Sequence, residues 1–125
     1  MRIIELVSGR LEQHDDGIVA FRPKAAVDLT RKDVYQYLSE AYRLSGGPAY
    51  VLIDRRSGYS LSFEAQEILR KEIDRYVVAI AYLAKPGLNL SVVTHTLSFI
   101  QSVPAQAFLA ETDARTWRLG LRRPV

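Results

Sequence analysis

Hydrophobic and polar positions change period several times along the chain, and each change marks an element. Ile4-Glu5-Leu6-Val7 alternates as a half-buried strand does, Ser8-Gly9 interrupts it, and Arg10-Leu11-Glu12 resumes it. Asp15-Asp16-Gly17 then precedes Ile18-Val19-Ala20-Phe21, a returning strand that stops at Pro23. Asp-Gly between strand-forming residues is a hairpin signal, because both positions tolerate positive φ. Thr30 reads as an N-cap with Arg31-Lys32-Asp33 in the first turn of a helix. Its apolar residues Val34, Tyr37, Leu38 and Ala41 share one face, and Gly46-Gly47-Pro48 ends it. Tyr50-Val51-Leu52-Ile53 is a short apolar strand finishing at Asp54.

Ser62 caps a second helix whose stripe runs through Ala65, Ile68, Leu69, Ile73 and Tyr76. Val77 to Leu83 is almost wholly apolar, the mark of a strand buried on both faces. Lys85-Pro86-Gly87 turns the chain, and a third helix spans residues 90–101. Ala107-Phe108-Leu109 makes a last strand, and Thr112 caps a final helix through Trp117. The order is β-β-β-α-β-α-β-α-β-α. It predicts an α/β fold: an initial antiparallel hairpin, then alternating helices and mainly parallel strands joined by right-handed crossovers. No linker, repeat or low-complexity tract divides the 125 residues, so residues 1–125 read as one domain. At 48% hydrophobic and 25% charged, the composition excludes disorder and fibrous folds.

This order, with two local stretches, resembles the STAS domain, the fold of bacterial anti-sigma-factor antagonists. It is also similar to uncharacterised bacterial STAS-like proteins related to lipid-binding CRAL-TRIO-like domains. The resemblance covers residues 15–119. It rests on Tyr50-Val51-Leu52-Ile53-Asp54, a buried strand ending in an acid, followed by a loop and the helix start Ser60-Leu61-Ser62-Phe63-Glu64-Ala65. Regulatory STAS proteins carry Asp-Ser-Ser-Gly at that junction, and a partner kinase phosphorylates the second serine. Here the junction reads Ser-Leu-Ser-Phe-Glu, Ser62 is the nearest positional match, and the chain contains no Asp-Ser-Ser-Gly. The resemblance implies a non-enzymatic protein-interaction or regulatory module.

Charge changes the picture little. Seventeen basic and fourteen acidic residues give a net +3. The excess gathers at the end, where Arg115, Arg118, Arg122 and Arg123 stand without an acid. Arginines there complement a helix dipole, and four of them fall short of a nucleic-acid face, so no nucleic-acid partner is expected. The first seven residues contain an acid and alternate like a strand, unlike a signal peptide, which predicts a cytoplasmic protein. The longest apolar run, Tyr76 to Ala84, is about half of a membrane span. With no cysteine, disulfides, thiolate metal sites and thiol nucleophiles are excluded.

Three places carry candidate chemistry. Ligands of open α/β sheets gather beyond the carboxyl ends of the strands, which makes Asp54, Arg55, Arg56, Ser60 and Ser62 the candidate ligand or partner loop. There Arg55 and Arg56 would meet phosphate or carboxylate, or Asp54 and Ser62 would merely cap loop and helix. A phosphate on Ser62 would suit a helix amino end, although Glu64 would repel it.

The second place is the third helix. From Pro86 to Ala110 there is no Asp, Glu, Lys or Arg, and two apolar stripes appear where packing on a sheet needs one. Leu90, Val93, Leu97, Phe99 and Ile100 are the candidate interface residues. Three readings stand open: a homodimer or protein-partner surface, a groove for an apolar ligand such as the acyl chain of a lipid or small anionic ligand, its anionic head near Arg55 and Arg56, and a shielded core helix. The third is His14-Asp15-Asp16, which invites a metal but is already explained by its turn. His95, alone on its helix, reads as hydrogen-bonded structure. No nucleophile elbow, phosphate loop or dinucleotide fingerprint is present, so neither a cofactor nor a catalytic residue is assigned. The seven tyrosines read as edge packing.

Overall fold

The computed structural model describes residues 1–121. Three antiparallel strands come first: β1 (Arg2–Glu5), β2 (Gly9–Gln13) and β3 (Ile18–Pro23). A short β4 (Asp28–Leu29) leads into α1 (Arg31–Ser45), then β5 (Ala49–Asp54), a short β6 (Ser60–Leu61) and α2 (Phe63–Lys71). A 3-10 turn (Ile73–Arg75) precedes β7 (Val77–Leu83), followed by α3 (Leu88–Leu97), β8 (Ala105–Phe108) and α4 (Glu111–Leu119). Six strands form one sheet in the order β1-β2-β3-β5-β7-β8, and β4 pairs with β6 apart from it. From β3 onward all pairings are parallel. The expected α/β architecture of hairpin followed by alternating elements is the observed one.

Each parallel strand is added on the same side of the last, so right-handed crossovers put α1, α2 and α3 on one face. There Val19, Phe21, Val51, Ile53, Ile80 and Tyr82 of the sheet pack with Val34, Leu38, Ile68, Leu69 and Val93 of the helices. The opposite face, Ile18, Ala20, Tyr50, Leu52, Ala79 and Ala81, is covered by α4 through Ala114 and Trp117.

Capping sets the helix starts. The Asp33 N–H donates to the Thr30 hydroxyl (3.3 Å) and the Thr30 N–H to the Asp33 carboxylate (3.0 Å), a reciprocal capping box. Thr30→Ala should cost about 1 kcal/mol in urea unfolding, with an unchanged denaturant slope as the sign that only the cap was lost. At the other end Gly46 adopts φ 68°, a left-handed turn closed by its N–H to the Arg43 carbonyl. Ser62 caps α2 as expected, accepting from the Ala65 N–H at 3.1 Å.

Several boundaries differ from the sequence reading. The first strand lies two residues earlier, because Leu6 and Gly9 exchange backbone hydrogen bonds as a turn and leave Val7 exposed. The second helix stops at Lys71, and Ile73 is instead buried by the 3-10 turn. Thr112 does not cap α4. Ala110 is the N-cap and makes no side-chain bond, while Glu111 and Asp113 complement the dipole in the first turn. Thr112 sits inside the helix, its carbonyl accepting from the Thr116 hydroxyl at 3.0 Å. The two-residue strands β4 and β6 are too short for any periodicity. They lie just before Thr30 and Ser62, and the Ser62 N–H donates to the Leu29 carbonyl (3.0 Å), which fixes the two helix starts side by side.

Candidate functional site

At the carboxyl ends of β3 and β5, Arg22 and Asp54 point toward the face covered by α4. Arg22 reaches three carboxylates on three elements: Glu12 of β2 (3.4 Å), Asp54 (3.2 Å) and Glu111 of α4 (2.8 Å). Asp54 is gripped again by Arg56, through the backbone N–H (3.1 Å) and the guanidinium (2.9 and 2.8 Å). Arg115 extends the chain of charges from Glu111 (3.2 Å) to Asp16 (2.5 Å). Arg22, Asp54, Arg56, Ser57 and Lys85 line an open cleft of about 280 Å³.

Burial pushes the Asp54 carboxyl up, but the Arg56 hydrogen bonds and the charges of Arg56 and Arg22 together hold it below the ordinary range. Glu111 follows the same pattern, with Arg22 and Arg115 outweighing its burial. Arg22 was not singled out from the sequence. Its signal was there, since a cation at the end of an apolar strand must either reach solvent or find carboxylates.

Arg55 does not join that rim. Side chains alternate along extended backbone, and its N–H continues the sheet ladder to the Leu83 carbonyl (3.0 Å). The guanidinium therefore turns to the opposite face and is only 3% exposed. It donates to the Thr96 hydroxyl (2.5 Å) and the Tyr59 carbonyl (3.0 Å) and lies 4.3 Å from the centre of the Tyr59 ring. The surface arginine expected from the sequence is a buried one. Arg56 and Ser60 are exposed, and Ser62 is half-buried with its hydroxyl engaged at the helix cap.

α3 starts earlier and ends sooner than the expected 90–101, so the candidate interface residues lie on it and just after it, and they divide by position. Val93 and Ile100 are in the core, and Leu90 and Leu97 pack against it. Phe99 is half-buried, with its ring edge to His95 (5.0 Å). The apolar side chains left outside are Leu88, 81% exposed, and Val92, 45% exposed, among Ser91, Thr94, His95 and Ser98.

The remaining candidates settle into structure. His14 meets the Glu12 carboxylate (3.0 Å) and Asp16 accepts the Ile18 N–H (3.1 Å), with Asp15 exposed. Of the terminal arginines, Arg118 stacks its guanidinium over the Tyr50 ring (4.5 Å), and Arg122 and Arg123 lie outside the described residues. Tyr35 and Tyr42 pack edge-on against Tyr76 as expected. Tyr37 and Tyr82 are buried, as their helix stripe and strand predict, and Tyr59 is buried as well. Among the described residues, no helix is long and apolar enough to cross a membrane.

No family model matches the chain, and no curated protein matches it. Among solved structures it is similar to an uncharacterised protein of the DUF3478 family from Shewanella loihica PV-4, which has a SpoIIAA-like fold. The two share 20% identity, and the match covers 86% of this chain and 88% of that one, with a TM-score of 0.59. The architecture is thus that of the SpoIIAA-like α/β class, the STAS fold.

Proposed function

We propose that this STAS-like module acts by association and not by catalysis, and that it pairs with a second copy of itself through the outer face of α3 and the adjoining edge strand β8. The observation that carries the reading is the uncharged stretch from Pro86 to Ala110, which supplies both elements. β8 ends the sheet, so one side of its backbone is unpaired within the sheet, and neither Lys nor Glu guards it. Leu88 and Val92 on the helix and Leu109 beyond the strand are exposed apolar side chains of the same stretch. A two-fold interface sets a surface against itself, where any charge would face its like, so an uncharged face is its own complement.

Arg56, Ser57 and Ser60 at the carboxyl-end rim supply polar contacts to a further protein partner. The absence of catalysis is supported by the state of Asp54 and Glu111. Arginines pair with both carboxyls and hold them below the ordinary range, so neither stands as a free acid or base.

Sedimentation equilibrium tests the pairing. The parent chain should sediment as a dimer at micromolar concentration, and Val92→Glu as a monomer with an unchanged circular dichroism spectrum. A parent chain that stays monomeric at every concentration sinks the reading.

A further inference from the structure

Beneath α3 lies a group of polar side chains that the association reading does not use. Arg55 has no carboxylate partner among the described residues. Its bonds go to a hydroxyl and a carbonyl, both neutral. Tyr59, whose ring lies against the guanidinium, belongs to the same buried core as Tyr37 and Tyr82, each 1% exposed. None of their three hydroxyls bonds to another described residue. Burial pushes all three hydroxyls well above their usual range, while the charge of Arg55 pulls each the other way. All three are thus neutral O–H donors at physiological pH.

The cluster holds a fixed cation and three hydroxyl donors but no anion. A buried charge without a counter-charge is costly. One chemical group supplies the counter-charge and can also accept from the hydroxyls. A carboxylate matches the guanidinium fork with two parallel bonds and has lone pairs left for hydroxyl donors. The charge balance selects a monoanion, because a doubly charged phosphate would bring a second negative charge into apolar surroundings. The underside of α3, with Leu90, Val93 and Leu97, selects an apolar remainder.

We propose that Arg55, Tyr37, Tyr59 and Tyr82 form a binding site for the carboxylate of a small apolar monoanion, admitted when α3 swings aside and Thr96 releases the guanidinium. The helix is suited to move. It enters through Gly87 at φ 91° with no side-chain cap, and Thr96 is its hydrogen bond to the arginine side chain. Asn89 near its start stays tied to the Arg55 and Lys85 backbones (2.9 and 2.8 Å), so the swing pivots there.

The test is a nuclear magnetic resonance titration of the full chain with benzoate and octanoate, against their neutral amides. Carboxylate addition should shift the ring signals of Tyr37, Tyr59 and Tyr82 and the Thr96 amide, and each amide should bind about tenfold or more weakly. Arg55→Met should abolish the carboxylate preference, and Tyr82→Phe should weaken binding by about threefold to tenfold while the fold is kept. Where Arg55→Met does not fold, the acid-to-amide ratio in the parent and in Tyr82→Phe decides the question. Shifts absent at millimolar carboxylate, or equal for acid and amide, overturn the proposal. The outcome is separable from self-association, because Val92→Glu removes the pairing face and leaves the cluster intact.

Discussion

Replacing Gly9 with alanine should lower the stability of this protein by about 3 kcal/mol, one of the largest effects of any single methyl group in the chain. Gly9 faces Pro23 across the β2–β3 ladder. A Cβ built there would meet the Arg22 carbonyl oxygen at 2.4 Å and the Pro23 Cα at 2.6 Å. Both are backbone atoms and cannot rotate away, so relief requires β2 to part from β3. β1 pairs only with β2 in the sheet and would be carried with it. For a chain of this size the loss corresponds to about 10 °C in melting temperature. A melting curve for Gly9→Ala that superposes on the parent's would refute the close approach.

The second large effect belongs to Arg22. Its replacement by methionine keeps the aliphatic stem but takes from Glu12, 8% exposed, the nearer of its two arginines and weakens the hold on Asp54 and Glu111. Arg56 and Arg115 still answer the latter two, so the loss should be about 2 kcal/mol at neutral pH, below that of a fully buried pair. The pH dependence is more diagnostic. Asp54, Glu111 and Asp16 are depressed in the folded chain, so the stability they contribute is complete above the unfolded carboxylate pKa near 4 and is lost as pH falls through the lower folded values. Removing Arg22 raises the folded values of Asp54 and Glu111 toward the unfolded ones, so the variant should lose less stability than the parent below about pH 4. Urea unfolding from pH 7 to pH 3 measures this. Parallel stability curves would show that Arg22 does not set these carboxyls.

Much of the fold was legible because its signals are local. Thr30 and Ser62 cap by bonding residues three positions on, Gly46 closes its helix where glycine is needed, and Val77–Leu83 announces itself by composition. The site was less legible, for a reason visible in Asp54-Arg55-Arg56. The sequence shows three charged residues in a row, and a charge run is usually a solvated loop. Extended backbone separates the first two onto opposite faces. The partners that decide their fates are remote: Thr96 lies 41 positions from Arg55, and Arg22 lies 32 from Asp54. The α3 stripes show the same limit. The spacing of Leu90, Val93, Leu97 and Ile100 puts them on one stripe, but only packing reveals that this stripe faces inward and that Leu88 and Val92 face out.

The cover of the second sheet face comes after every strand in the chain. During synthesis Ile18, Ala20, Tyr50, Leu52, Ala79 and Ala81 are therefore all present before α4 exists to meet them. In a refolding chain that has closed its three-helix face before α4 docks, the other apolar face stays open to chaperones, or to another chain caught at the same stage.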